Sequence, residues 1–161
     1  VGSEMCIRDR GFIMTELFPY LAFEKAKDAI AYYEEVFGAT NVKKLEVSEE
    51  QAEQFGMTKE QAAEATMHAE FEVLGVKILC SDSFGRVENI NNGISLLIDF
   101  DVNNQDDSDK VQQFYDKIKD HDSIDIEMPL KEQFWGGKMG AFTDKYGVRW
   151  MLHGQDYTQL N

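Results

Sequence analysis

From Leu17 onward the chain switches repeatedly between short runs of period two and longer runs of helical period. Leu17–Phe23 is a short apolar run. Glu24–Phe37 then places Ala26, Ala29, Ile30, Tyr33, Val36 and Phe37 at helical spacing, closed by Gly38. This predicts a strand followed by a helix. Val42–Val47 alternates as a strand. Ser48-Glu-Glu-Gln51 and Thr58-Lys-Glu-Gln61 are capping boxes, in which the hydroxyl and the amide each satisfy a free N–H, so two short helices are expected within 49–65. Thr66–Val73 alternates strictly, with Met67, Ala69, Phe71 and Val73 on one face and Thr66, His68, Glu70 and Glu72 on the other. Gly75 turns the chain into a further strand, Val76–Ser81.

The second half repeats this order. Ile94–Phe100 is an apolar strand, and Asp107–Lys119 carries Val111, Phe114, Tyr115 and Ile118 behind an acidic start. Ile124–Met128, Gly140–Asp144 and Val148–His153 read as strands, with Pro129–Gly137 as a loop. Gly75-Val-Lys-Ile-Leu79 matches Gly147-Val-Arg-Trp-Met151, and Ala31-Tyr-Tyr-Glu34 is similar to Gln113-Phe-Tyr-Asp116. The expectation is an α+β domain over 14–153, built of two β-α-β-β-β half-units, 14–84 and 92–153, and followed by a tail, 154–161. The strands form a curved mixed sheet around a cavity, with the helices outside.

The opening VGSEMCIRDRGFI fits neither period, and SEMCIRDR resembles a translated sequencing adapter, so residues 1–13 are read as a leader foreign to a domain that starts at Met14. Cys6 leaves with that leader. Cys80, in the apolar run VKILC, then has no disulfide partner and reads as a small core hydrophobe. Sixteen Lys plus Arg against thirty Asp plus Glu give the 161 residues a net charge of −14. Such a field repels phosphate backbones and anionic lipids, which argues against nucleic acid and membranes as partners, and its plain role is solubility. No apolar run reaches the roughly 20 residues of a bilayer span, and a cytoplasmic location is expected.

No Ser-His-Asp order, Walker loop, dinucleotide fingerprint or paired-Cys metal spacing occurs. His68 and Glu70 lie side by side on one strand face and form a candidate acid/base pair; the alternative is the polar face of a half-exposed strand. His121, in Lys-Asp-His-Asp, reads as a solvated turn residue, and His153, without an acidic or Cys neighbour at ligand spacing in the sequence, as a surface residue. Phe134-Trp135-Gly136-Gly137 joins two rings to a pliable pair, which suits either a lid over an apolar pocket or a core plug. Tyr20 and Trp150 are expected to line the same sheet, with plain core as the alternative for both. The candidate ligand-binding residues are therefore Tyr20, His68, Phe134, Trp135 and Trp150.

Pro19-Tyr20-Leu21, Ala31-Tyr-Tyr-Glu-Glu-Val-Phe-Gly38, Met67-His-Ala-Glu70, Ser81-Asp82, Phe134-Trp-Gly136 and Thr143-Asp-Lys-Tyr-Gly-Val-Arg-Trp150 occur in one order across nearly all of 14–153. Together they resemble the vicinal oxygen chelate (VOC) superfamily, which includes glyoxalase I, extradiol dioxygenases and the fosfomycin and bleomycin resistance proteins, and within it the PhnB-like group. The resemblance implies the doubled fold. It also implies that a metal enzyme would carry His, Glu or Gln on the first and last strand of each half. Here those places hold Phe18 or Tyr20, Leu79, Ser95 and Met151, none suited to a hard metal, so no metal and no cofactor is expected. A ubiquinone methyltransferase is among the names attached to the group, but the chain has no strand-Gly-helix unit for adenosylmethionine.

The reading is a small-molecule-binding PhnB-like protein without a metal centre. Two alternatives stay open: a metal-dependent lyase, isomerase or dioxygenase with a site shifted to His68 and Glu70, and an antibiotic-sequestering protein whose negative charge draws a cation such as bleomycin. Members of the superfamily usually pair, and exposed strand edges supply a physical reason for a homodimer.

Overall fold

A computed structural model describes residues 15–86, 90–91 and 93–159; the leader expected over residues 1–13 and the start at Met14 lie outside them. The first half runs β1 (Tyr20–Phe23), α1 (Ala26–Tyr32, continued by a π-helical turn, Tyr33–Phe37), β2 (Thr40–Glu46), α2 (Glu49–Gln54), α3 (Lys59–Glu64), β3 (Thr66–Val73) and β4 (Val76–Asp82). The second runs β5 (Ser95–Asp101), α4 (Gln105–Ile118), β6 (Asp125–Glu132), β7 (Lys138–Thr143) and β8 (Arg149–Gln155), with a 3₁₀ turn at Tyr157–Gln159. The class is α+β, and both halves follow the expected order of elements.

The strands divide into two four-stranded sheets, ordered β1-β4-β3-β2 and β5-β8-β7-β6. In each, the first strand pairs parallel to the last, Tyr20 opposite Leu79 in one and Leu97 opposite Met151 in the other, while the remaining neighbours are antiparallel. Both capping boxes form: Ser48 and Thr58 accept from the backbone N–H of Gln51 and Gln61, whose amides accept in return. β6 runs past its expected end at Met128 and continues to Glu132, through the first part of the expected loop. Pro129 is tolerated there because β6 is an edge strand and its pairing shifts register between Met128 and Lys131, where no N–H is needed.

One face of each sheet, here called inner, enters a single apolar core. Ala69, Phe71, Val73, Ile78 and Cys80 from the first sheet share it with Ile98, Phe100, Phe142, Trp150 and Leu152 from the second. The end of α1 joins them. The Tyr33 ring stacks on Phe71 at 5.1 Å, and Phe37 meets Phe114 at 5.5 Å and Trp150 at 5.3 Å edge-on. Burial raises the Cys80 thiol to about 12, with the Asp82 charge adding to the rise, as suits a core hydrophobe.

Two buried aspartates fix this arrangement. Asp82, at the end of β4, accepts from the N–H of Ala26 at 2.8 Å and of Thr66 at 3.0 Å. It thereby caps α1, whose own N-cap residue Lys25 supplies no side-chain bond. Asp144, after β7, accepts from Tyr33 Oη at 2.6 Å, Trp150 Nε1 at 2.9 Å and the N–H groups of Tyr146 and Val148 at 2.8 and 3.1 Å. Tyr33 belongs to the first half, so this carboxylate ties the halves together. Burial pushes the Asp144 carboxyl up despite those four donors. Burial likewise holds the Tyr33 phenol well above its ordinary range, with the Asp144 charge adding to it.

Candidate functional site

The opposite, outer faces look away from the shared core and carry the polar and aromatic side chains. On the first sheet, Leu79 of β4 stands between Tyr20 of β1 and Glu70 of β3, and Tyr20 Oη reaches across β4 to lie 3.2 Å from His68 Nδ1, two residues before Glu70 on β3. Their rings are 5.7 Å apart, and the Tyr20 side chain is 52% exposed. Glu70 does not reach for His68: its carboxylate pairs with Lys77 Nζ at 3.1 Å, and Lys77 also lies over the Phe18 ring. His68 is thus oriented by a phenol rather than by a carboxylate.

On the second sheet, parallel pairing sets Asp99 of β5 opposite His153 of β8, and His153 Nδ1 lies 2.8 Å from Asp99 Oδ1. Trp135 stacks over the same imidazole with 6.5 Å between ring centres. Sequence spacing missed this cluster because the two residues sit on strands from opposite ends of the half; only their pairing unites them. The signal present in the sequence was the likeness between the halves, since Tyr20 pairs with Leu79 just as Leu97 pairs with Met151. At the other end of the same strand pair, Arg149 donates to Ser95 Oγ at 2.7 Å and pairs with Glu127.

The loop bearing Trp135 is a tight turn closed by Gln133 N–H to Gly137 O at 2.8 Å and Gly136 N–H to Gln133 O at 3.0 Å. Gly136 has φ +90°, and a Cβ on Gly137 would lie 2.1 Å from the Gly154 carbonyl oxygen. The glycine pair therefore serves backbone geometry and close approach to β8. Phe134 projects from the turn 98% exposed and meets Trp135 edge-on at 5.4 Å, while Trp135 is 37% exposed. Neither ring plugs the core.

Trp150 stands apart from the other candidates. Adjacent residues on a strand face opposite ways, so β8 sends Met151 and His153 outward and Trp150 inward, where its buried indole donates to Asp144. It belongs to the core rather than to a pocket wall. His121 is a turn residue whose Nδ1 lies 2.8 Å from Ser123 Oγ. Among the described residues no hydrogen bond or ring contact joins the Tyr20–His68 group to the Trp135–His153 group.

A metal at the places implied by the resemblance would meet Tyr20 and Leu79 on the first sheet and Leu97 and Met151 on the second; Ser95 instead stands opposite Arg149. Among the described residues no three His, Cys, Asp or Glu side chains come close enough to hold an ion. A phenol, two leucines and a thioether do not fit zinc, manganese or iron.

Comparison with known proteins agrees with this architecture. The chain is 29% identical over 144 residues to protein YjdN of Escherichia coli, a match covering 85% of this chain and 93% of that one. A PhnB protein from Bacillus cereus aligns with 88% of this chain and all of its own at 22% identity and TM-score 0.59. PA1353 from Pseudomonas aeruginosa aligns over 88% of this chain and 98% of its own at 25% identity and TM-score 0.57. The fosfomycin resistance protein FosX of Listeria monocytogenes, in a mutant complexed with Mn(II) and a dihydroxypropylphosphonic acid, shares the fold at 14% identity and TM-score 0.55, over 92% of this chain and 99% of its own. The family described as 3-demethylubiquinone-9 3-methyltransferase matches residues 15–153. The chain belongs to this PhnB-like family and shares the fold of the glyoxalase and bleomycin resistance (VOC) proteins.

Proposed function

We propose that this protein binds a small molecule without a metal, between the outer face of one half and the outer face of the other half from a second copy. The observation that carries the reading is the Tyr20–His68 pair: an imidazole held by a phenol, whose own strand neighbour is the apolar Leu79, offers a ring face and one hydrogen-bonding nitrogen rather than a metal-ligating set. The Trp135–His153–Asp99 group supplies a second such wall.

The homodimer rests on which edges are protected. The β2 edge carries Lys43, Lys44 and Glu46 with broken register, and the β6 edge carries Pro129, Lys131 and Glu132, again with broken register. The β1 and β5 edges keep unbroken register and carry no proline within the strand or lysine, the only charges being Asp99 and Asp101 towards the end of β5, and Leu17, Phe18, Tyr20, Ile94 and Leu97 lie exposed along them. Joining β1 of one copy to β5 of another brings the two walls together. His68 then binds and orients the ligand, Trp135 covers it, and Asp99 holds the His153 ring in place. No methyl transfer is carried over from the family description, because among the described residues no phosphate- or nucleotide-binding turn follows a strand into a helix.

Elemental analysis of protein purified without chelator tests the metal-free reading: no stoichiometric metal is expected, and one equivalent of zinc, manganese or iron would overturn it. Sedimentation velocity tests the pairing. The wild type is expected at twice the 18.4 kDa chain mass, and Leu97→Glu at the chain mass itself; a monomeric wild type removes the composite site.

A further inference from the structure

The α2–α3 segment builds a second hollow, at the end of the first sheet and apart from the outer-face residues. Its apolar part, about 460 Å³, is walled by Phe55, Met57, Met67 and Phe84. It opens into a larger groove of about 850 Å³ between α3 and the turn Ser83–Arg86, whose rim carries Glu24, Lys25 and Glu64. Met67 shares the inner face of β3 with Ala69, yet it stays outside the core and floors this hollow instead.

Phe84 makes the hollow more than a gap beneath two helices. Its backbone has φ +51°, in the left-handed region that a bulky residue rarely adopts, while its ring stays 47% exposed against the hollow. Phe55, on the facing wall, is 55% exposed. Among the described residues, contacts within the chain therefore do not repay a strained aromatic residue at this turn. Ring faces and thioethers opposite one another suit a flat, polarisable guest, since methionine adapts its shape and sulfur packs well against rings. The four walls hold no charge, and the rim carries both signs, so no ionic group on the guest is selected. A space of this size lies within the usual range for small-molecule sites.

We propose that this hollow is a separate binding site for an uncharged aromatic small molecule, with Phe84 and Phe55 as its two ring walls. N-phenyl-1-naphthylamine, an uncharged dye that brightens in apolar surroundings, is the probe. Titration into the full chain is expected to give a saturable rise. Phe84→Gly suits the positive φ, removes the ring and is expected to weaken the dye at least about tenfold. Tyr20→Ala, on the outer face, is expected to leave affinity within about twofold. Circular dichroism checks folding, and Phe55→Ser carries the same expectation should Phe84→Gly not fold. No saturable rise with the wild type, unchanged affinity on loss of either ring, or loss of binding in Tyr20→Ala would each overturn the proposal. The last of these would move the dye to the outer face and leave the function proposed above intact.

Discussion

Asp144 and Asp99 each bond an aromatic side chain of β8, one from either side of the strand. Asp144 takes the Trp150 indole N–H on the inner face, together with a tyrosine hydroxyl and two backbone donors, all in the core. Asp99 meets the His153 imidazole on the outer face, where both side chains keep contact with water. The chemistry of the pairs is similar, but their environments give them opposite roles. Removing a partner from the buried network strands desolvated donors, whereas water replaces whatever is removed outside. Inner-face residues thus hold the fold, while outer-face residues are not needed for it, as the proposed ligand site requires.

The largest expected effects lie inside. Trp150→Ala should cost about 3–5 kcal/mol, through lost burial and a cavity among Phe37, Phe142 and Tyr33. Trp135→Ala, the same substitution outside, should change stability by less than about 0.5 kcal/mol in urea unfolding. Comparable losses for both would erase the distinction between faces. Next in size is Asp82→Ala, expected to cost about 1–2 kcal/mol because the first turn of α1 and the start of β3 lose their acceptor.

Asp144 adds a pH dependence. Its carboxyl is raised by burial, so the native state holds that proton more tightly than the unfolded chain does. The stability this proton linkage contributes is full below the ordinary carboxyl value near 3.8 and is lost as pH rises through the raised one. The gap in unfolding free energy between wild type and Asp144→Asn should therefore narrow as pH increases across that window; a gap that widens would mean the four donors outweigh burial. The smallest effects are outside and at Cys80. Asp99→Asn should cost no more than about 1 kcal/mol. In a Cys6→Ser background a thiol reagent should leave native Cys80 unlabelled and react only on unfolding, because burial raises that thiol to about 12.

The inner faces were largely legible in the sequence. Strict alternation in 66–73 put Ala69, Phe71 and Val73 on one side, and all three are fully buried; Ser48 and Thr58 announced α2 and α3 through capping boxes that both form. Motifs that carried the family resemblance, Ser81-Asp82 and Thr143-Asp144, prove to be architectural: one caps a helix, the other joins the halves. The outer faces were harder to read because their groups meet across strands. Asp99 and His153 are 54 positions apart and become neighbours only through parallel pairing. His68 and Glu70 share a face as expected, yet each turns to a partner on another strand, Tyr20 and Lys77. Trp150 fills the core instead of lining a pocket: one residue's slip along β8 exchanges the faces, and composition does not tell an indole that lines a cavity from one that fills a core.

Native mass spectrometry of the wild type beside Tyr20→Ala and Trp135→Ala tests most directly whether the outer faces form the ligand site. The account predicts a wild-type dimer that retains a small molecule and variant dimers, equally stable, that have lost it. A molecule retained equally by all three, or a wild type that carries none, would contradict it.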